Sequence, residues 1–339
     1  ALPILLAYRR LESPNVAHFL SDADPRIVVE AARAINDASI YSALPQLAAL
    51  ITTTNKSEPL LKRVVNAHLR LGAPDNAKAL AAFASQKDAP EAVRVEALQA
   101  LGEWAKPSPR DRMTGLYRPI AARDAAPVAA ALKPVLNELL RNTPAKVRTE
   151  AATLAGQYSL TEAGPVLFEL VSDKKANVKT RVAALKSLGS LKDPNLADAI
   201  AIAAKDADES LRTEATTQQS KSGTGGGTAP LVTALEKGTL GEKQNALLQL
   251  GDSKDAAADA IISAQLDALL AGKLAKELHL DTLEAAAKRS SSDIKSKLEK
   301  FEASRNKSDS LAAFREVMFG GNAEEGKKIL DRKSTRLNS

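Results

Sequence analysis

The chain has 339 residues, 44% of them hydrophobic, enough apolar material to bury a sizeable core and to exclude a disordered chain. It has no cysteine, which removes disulfides, thiolate nucleophiles, zinc–sulfur sites and covalently attached haem. The net charge of +6 falls to +3 when the three basic residues of 332–339 are set aside, an ordinary mixed surface that argues against a nucleic-acid-binding stripe.

Aromatic residues make up 3% of the chain, while alanine and leucine are abundant, so helix formers supply the apolar surface. The apolar runs are short and broken by charge, and none reaches the roughly 20 residues of a membrane-spanning helix. Residues 1–10 lack an initiator Met and the charged, apolar and small-residue regions of a signal peptide. The expectation is a segment from the middle of a longer protein.

Helical periodicity begins after Asp22-Ala23-Asp24-Pro25, where two carboxylates precede a proline. Helix capping accounts for both aspartates without a cation, and Asp88-Ala89-Pro90 and Asp193-Pro194 punctuate later joins in the same way. Glu-Ala pairs then recur in matched frames: Val28-Val29-Glu30-Ala31, Val93-Arg94-Val95-Glu96-Ala97, Val147-Arg148-Thr149-Glu150-Ala151 and Leu211-Arg212-Thr213-Glu214-Ala215. Weaker copies stand between them at Val64-Val65-Asn66-Ala67 and Thr180-Arg181-Val182-Ala183-Ala184-Leu185, for a repeat of about 33 residues.

Each unit reads as two helices, the second with apolar residues at helical spacing, as at Leu44, Leu47, Ala48 and Ile51 or at Val166, Leu167, Leu170 and Val171. One helical pair cannot bury its apolar face alone, so the units are expected to stack into an all-α, α/α superhelix resembling HEAT or armadillo arrays. The Arg and Glu of the repeated frame are expected to form a ladder of polar contacts along successive helices.

An insertion at 103–135 interrupts the array. It holds the chain's one Trp, a Tyr and several arginines among prolines, which makes Trp104, Arg110, Arg112, Tyr117 and Arg118 the candidate interface residues. Two outcomes stand open for them: the aromatics either meet a partner or pack the insertion onto the array, and the arginines either dock or face solvent.

Residues 216–228, TTQQSKSGTGGGT, replace an expected apolar helix with a polar, glycine-rich break. No Gly-Lys-Ser/Thr follows the glycines, so a phosphate loop is not indicated. Apolar spacing resumes from Ala246, placing the solenoid at 1–288, and 289–320 reads as a polar helical linker. The three histidines, His18, His68 and His279, fall in separate repeats without ligand spacing. Nothing in the chain points to a catalytic group, a metal or a cofactor.

The stretches Ala31-Ala32-Arg33-Ala34-Ile35-Asn36-Asp37, Ala43-Leu44-Pro45-Gln46-Leu47-Ala48-Ala49-Leu50, Gly102-Glu103-Trp104-Ala105-Lys106-Pro107 and Gly115-Leu116-Tyr117-Arg118-Pro119 resemble the HEAT-repeat region of large bacterial multidomain dehydrogenases. In that family a sugar-dehydrogenase-like β-propeller precedes the repeats and a c-type cytochrome domain follows them. The resemblance extends over residues 1–330, and residues 321–330 are similar to the opening helix of such a cytochrome, with Asn322 as N-cap and Glu325 three residues on.

The Cys-x-x-Cys-His that haem attachment needs is absent, and 331–339 departs from the family and from helix packing, so it is expected to be a non-native tail. The resemblance implies a non-catalytic scaffold between propeller and cytochrome, outside the cytoplasm in the periplasm, with those domains as partners. A stand-alone protein-binding scaffold is the alternative. A nucleic-acid-binding HEAT protein is the weaker alternative, and phycobilin lyase activity has no residue-level support.

Overall fold

The computed structural model describes residues 1–222, 227–305, 308 and 311–337. These residues form helices and a single isolated antiparallel bridge, so the chain is all-α, of the HEAT and armadillo type. In order they are α1 (Leu2–Arg10), α2 (Pro25–Asp37), α3 (Leu44–Ala48), α4 (Glu58–Leu71), α5 (Pro74–Ser85), α6 (Glu91–Gly102), α7 (Ala126–Leu132), α8 (Leu136–Arg141), α9 (Ala145–Gln157), α10 (Gly164–Ser172), α11 (Val178–Leu191) and α12 (Leu196–Ala203). There follow α13 (Glu209–Lys221), α14 (Ala229–Lys237), α15 (Leu240–Asp252), α16 (Ala257–Leu270), α17 (His279–Ala287), α18 (Ser292–Ser304) and α19 (Ala323–Leu337). Two compact units are present, Ala1–Ala199 and Ile200–Ser339.

In the first unit α2, α4, α6, α9 and α11 pack side by side as one layer, and α3, α5, α8 and α10 each back onto it. The Glu-Ala frames explain this layer. Their alanines, Ala31, Ala67, Ala97, Ala151 and Ala184, are all buried, and a side chain this small lets neighbouring helices approach closely. At Gly156 the approach is closer still, since a Cβ there would come within 2.9 Å of the Ser187 Cα. One apolar cluster, with Leu5, Val16, Ile35, Leu47 and Leu60, fills the start of this unit.

The frame arginines do something other than pair with the frame glutamates. Arg94 Nε donates to the Ala84 carbonyl at 2.8 Å, and Arg181 Nε and Nη2 both donate to Val171 O at 3.0 Å. Arg148 Nη2 reaches Thr143 O at 2.9 Å, and in the second unit Arg212 Nη1 reaches Ala207 O at 2.8 Å. Arg94 and Arg181 reach back to the last turn of the preceding helix, where carbonyls have no intrahelical donor and the dipole favours a cation, while Arg148 and Arg212 reach the connections that follow α8 and α12. The expected ladder of polar contacts is met in part, by Gln99 Nε2 on Glu150 at 2.9 Å and Arg212 Nε on Glu242 at 2.7 Å, and the frame arginines add to it these bonds to the backbone.

Caps at the other helix ends follow the aspartates in part. Asp24 Oδ1 accepts from Arg26 N and Asp22 Oδ1 from Asp24 N, both at 2.9 Å. Asp88 does not cap α6, whose N-cap position is Pro90; it pairs with Lys56 at 2.9 Å.

In the second unit α13, α15 and α17 form one layer and α14, α16 and α18 pack behind, around a core with Leu231, Leu247, Ile262 and Leu278. Three boundaries differ from the sequence reading. Thr216–Lys221 is helical, because Thr217 Oγ1 bonds back to Thr213 O at 3.0 Å and Gln218 Nε2 to Glu214 Oε1 at 2.5 Å, so polar side chains are satisfied inside the helix. The glycines at 223–226 lie outside the described residues.

The segment read as a linker from 289 contributes to the core: Ile294 is fully buried, and Leu298 and Phe301 pack beside it at helical spacing. At the C-terminus Asn322 Oδ1 caps α19 by accepting from Glu325 N at 3.0 Å, and the helix runs past 330 to Leu337. Among the described residues no helix is long and apolar enough to cross a membrane.

Candidate interaction surface

The insertion ends earlier than its sequence suggests, because residues 126–132 are α7, which packs on α5 as a helix of the array. Residues 105–123 form a loop whose ends meet, with Arg123 N donating to Ala105 O at 3.1 Å. Within it lies a hairpin. Asp111 N donates to Leu116 O and Arg118 N to Pro109 O, each at 2.8 Å, and Gly115 takes the left-handed turn position at φ 71°.

The loop lies over the C-terminal ends of α2, α4 and α6, and its cations bond to the groups there. Arg118 donates to the Asn36 and Asp37 carbonyls at 3.1 and 2.8 Å. Arg123 donates to Leu69 O at 2.6 Å and to Trp104 O at 3.0 Å, with its guanidinium 3.9 Å from the centre of the Trp104 ring. Gly72 leaves room for it: a Cβ there would stand 1.8 Å from Arg123 Nη1, and its φ of 71° favours glycine. Arg112 donates to Glu96 at 2.7 Å, to Gln99 at 3.3 Å and to Glu103.

At the centre is Asp111. Its Oδ1 accepts from Met113 N, Thr114 N and Thr114 Oγ1, and its Oδ2 from Asn66 Nδ2 at 2.9 Å and Arg70 Nη1 at 3.1 Å. Burial by itself pushes this carboxyl up, but the hydrogen bonds from Asn66, Thr114 and Met113 outweigh it and hold it below the ordinary carboxylate value. Asn66 Nδ2 donates also to Asn36 Oδ1 at 2.8 Å, and Arg70 Nη2 to the Tyr41 hydroxyl at 2.8 Å. Tyr158, whose hydroxyl donates to Leu101 O, is pushed up to about 12 by burial.

The five candidate residues therefore divide. Trp104 is buried at the base of the loop, and Arg112 and Arg118 are bonded to the helices beneath. Arg110 is exposed, with Nη1 on Gly115 O at 3.1 Å, and Tyr117 is 72% exposed beside Leu116 at 53%. Sequence reading did not single out Asp111, Arg123, Asn66 or Arg70. Asp111 sat among the arginines as the one acid of the hairpin, a signal of internal pairing; Asn66, at a glutamate position of the frame, was the other available sign. Of the histidines, His68 is buried between Asn76 Nδ2 and Ala48 O, each at 2.9 Å, and His279 bonds to Leu274 O, so both serve the backbone framework.

The stacked helical pairs give the chain an all-α, HEAT-like and armadillo-like solenoid fold. A family model for HEAT repeats matches residues 132–221, the stretch that contains the frame arginines Arg148, Arg181 and Arg212. No curated protein matches the chain. Among solved structures, the complex of CpcE and CpcF of phycocyanin lyase from Nostoc sp. PCC7120 overlaps with 15% identity and a TM-score of 0.39, over 85% of this chain and 94% of that one.

Proposed function

We propose that this chain is a protein-docking scaffold, the HEAT-repeat segment of a large bacterial multidomain dehydrogenase, spacing a catalytic propeller from a c-type cytochrome domain in the periplasm. The observation that carries the reading is the loop at 105–123. The helices beneath hold it through Arg118 and Arg123, and its outer side presents Tyr117, Leu116 and Arg110 to solvent. An aromatic, an aliphatic and an arginine on a braced hairpin form the kind of surface that anchors a protein partner.

Three of the four stretches of the resemblance also meet here. Asn36 and Asp37 from the first accept from Arg118 of the last, and Trp104 of the third supports Arg123. Deleting residues 20–290 from a parent chain that carries both flanking domains should break electron delivery to the cytochrome. Delivery equal to that of the intact parent counts against the proposal. The reading frame on either side of the segment is an independent check, with a propeller expected upstream and Cys-x-x-Cys-His after Leu330.

A stand-alone scaffold is the second reading, supported by the same exposed hairpin. Capture of a separate protein from the native compartment, lost on Tyr117→Ser, favours it over contacts within one chain.

A further inference from the structure

From Ala105 to Pro127, all described, the only buried residue is Asp111, a carboxylate. The helices below are held by buried alanine, leucine and valine, whereas the loop is held by Asp111, Arg112, Arg118 and Arg123 through hydrogen bonds and charge. The groups it covers are also polar: Asn36, Asn66, Arg70, Glu96 and Gln99. Lifting the loop exchanges these bonds for bonds to water and uncovers little core. An element with so few apolar contacts opens at much lower free energy than the packed repeats. Its base stays closed, because Arg123 N bonds to Ala105 O and the Arg123 guanidinium stacks on Trp104.

We propose that residues 106–122 form a latch, a two-state element that leaves the repeats as one unit while they remain folded, with Asp111 as its central fastening. Closed, it presents Tyr117 and Leu116 on a fixed hairpin; open, it withdraws that surface. Regulation of docking in this way rests on the reading of the hairpin as the docking element, but the latch itself does not. A detached hairpin of this size does not keep its backbone bonds in water, so release frees the amides of Asp111, Gly115 and Arg118 together.

The test is hydrogen exchange followed by mass spectrometry on the full chain, for the parent and for two variants at opposite ends of the fastening, Asp111→Asn and Arg118→Gln. Both should speed exchange across 109–118 by on the order of tenfold, the equivalent of one lost net hydrogen bond, while α4 and α6 keep the parent rates. Trypsin should then cut sooner after Arg110 or Arg112. If each variant affects only its own neighbours, or if α4 and α6 speed up equally, the latch is refuted. Tyr117→Ser leaves the fastening untouched and tests docking alone, so unchanged partner capture in that variant would sink the docking reading without bearing on the exchange result.

Discussion

The Arg123 guanidinium lies 3.9 Å from the centre of the Trp104 ring, and this pair closes the base of the loop over the ends of α4 and α6. Truncating the buried indole, Trp104→Ala, should cost about 3–5 kcal/mol in urea unfolding. Arg123→Gln keeps the indole and should cost about 1–3 kcal/mol through the lost bonds to Leu69 O and Trp104 O and the lost stacking. Trp104 is the chain's one tryptophan, so a red-shifted emission in that variant reports solvent reaching the ring. An unshifted emission would mean that Arg123 does not cover it.

The arginine caps predict a repeated penalty. Arg181→Met retains much of the apolar stem but leaves Val171 O without its donors, and it should lower stability by about 1–3 kcal/mol in thermal or urea unfolding. Arg94→Met should behave alike through Ala84 O. Replacing exposed Lys186, which carries no such bond, should change stability by less than about 0.5 kcal/mol.

His68 gives a pH dependence with a defined sign. Asn76 donates to Nδ1, which places the proton on Nε2 for the bond to Ala48 O and keeps the ring neutral. Burial, only partly opposed by the Ala48 bond, holds its pKa below the ordinary 6.5. The unfolded chain therefore binds a proton more readily than the folded one. Stability is unaffected above the unfolded pKa and declines as pH falls below about 6.5. Urea midpoints at pH 7.5 and 5.5 should show the decline, and His68→Gln should flatten it.

At Gly156 the helices α9 and α11 leave no room for a side chain. Gly156→Val should force them apart and destabilise the first unit by about 1–3 kcal/mol, seen as a lower melting temperature. Gly115→Ala meets no atom within 4 Å and should cost less, on the order of 1 kcal/mol, from its positive φ alone.

Much of the array was readable in the chain because its cause is local. Ala31, Ala97, Ala151 and Ala215 recur beside a glutamate at a repeat spacing, and each is buried where helices of one layer touch. The linker reading failed because α18 is polar on average, although Ile294, Leu298 and Phe301 form a narrow apolar stripe within it. Average polarity hides a face that periodicity reveals. The glycine-rich break was overextended because Thr217 and Gln218 look like loop residues until their hydrogen bonds within α13 are known.

The sequence alone determined the class of protein: composition excluded disulfides and thiolate chemistry, and the spacing of apolar and small residues required stacked helical pairs. Tertiary structure decided what the charges do. No glutamate stands within four residues of Arg181, and it is the packing of α10 against α11 that brings Val171 O within 3.0 Å. In the same way Arg118 meets Asn36 and Asp37 across some eighty residues of chain, leaving Tyr117 exposed, because the ends of α2, α4 and α6 stand together with unpaired carbonyls. Local spacing specifies helices through short-range sterics and burial, whereas the partner of a long flexible cation depends on which distant groups the fold gathers.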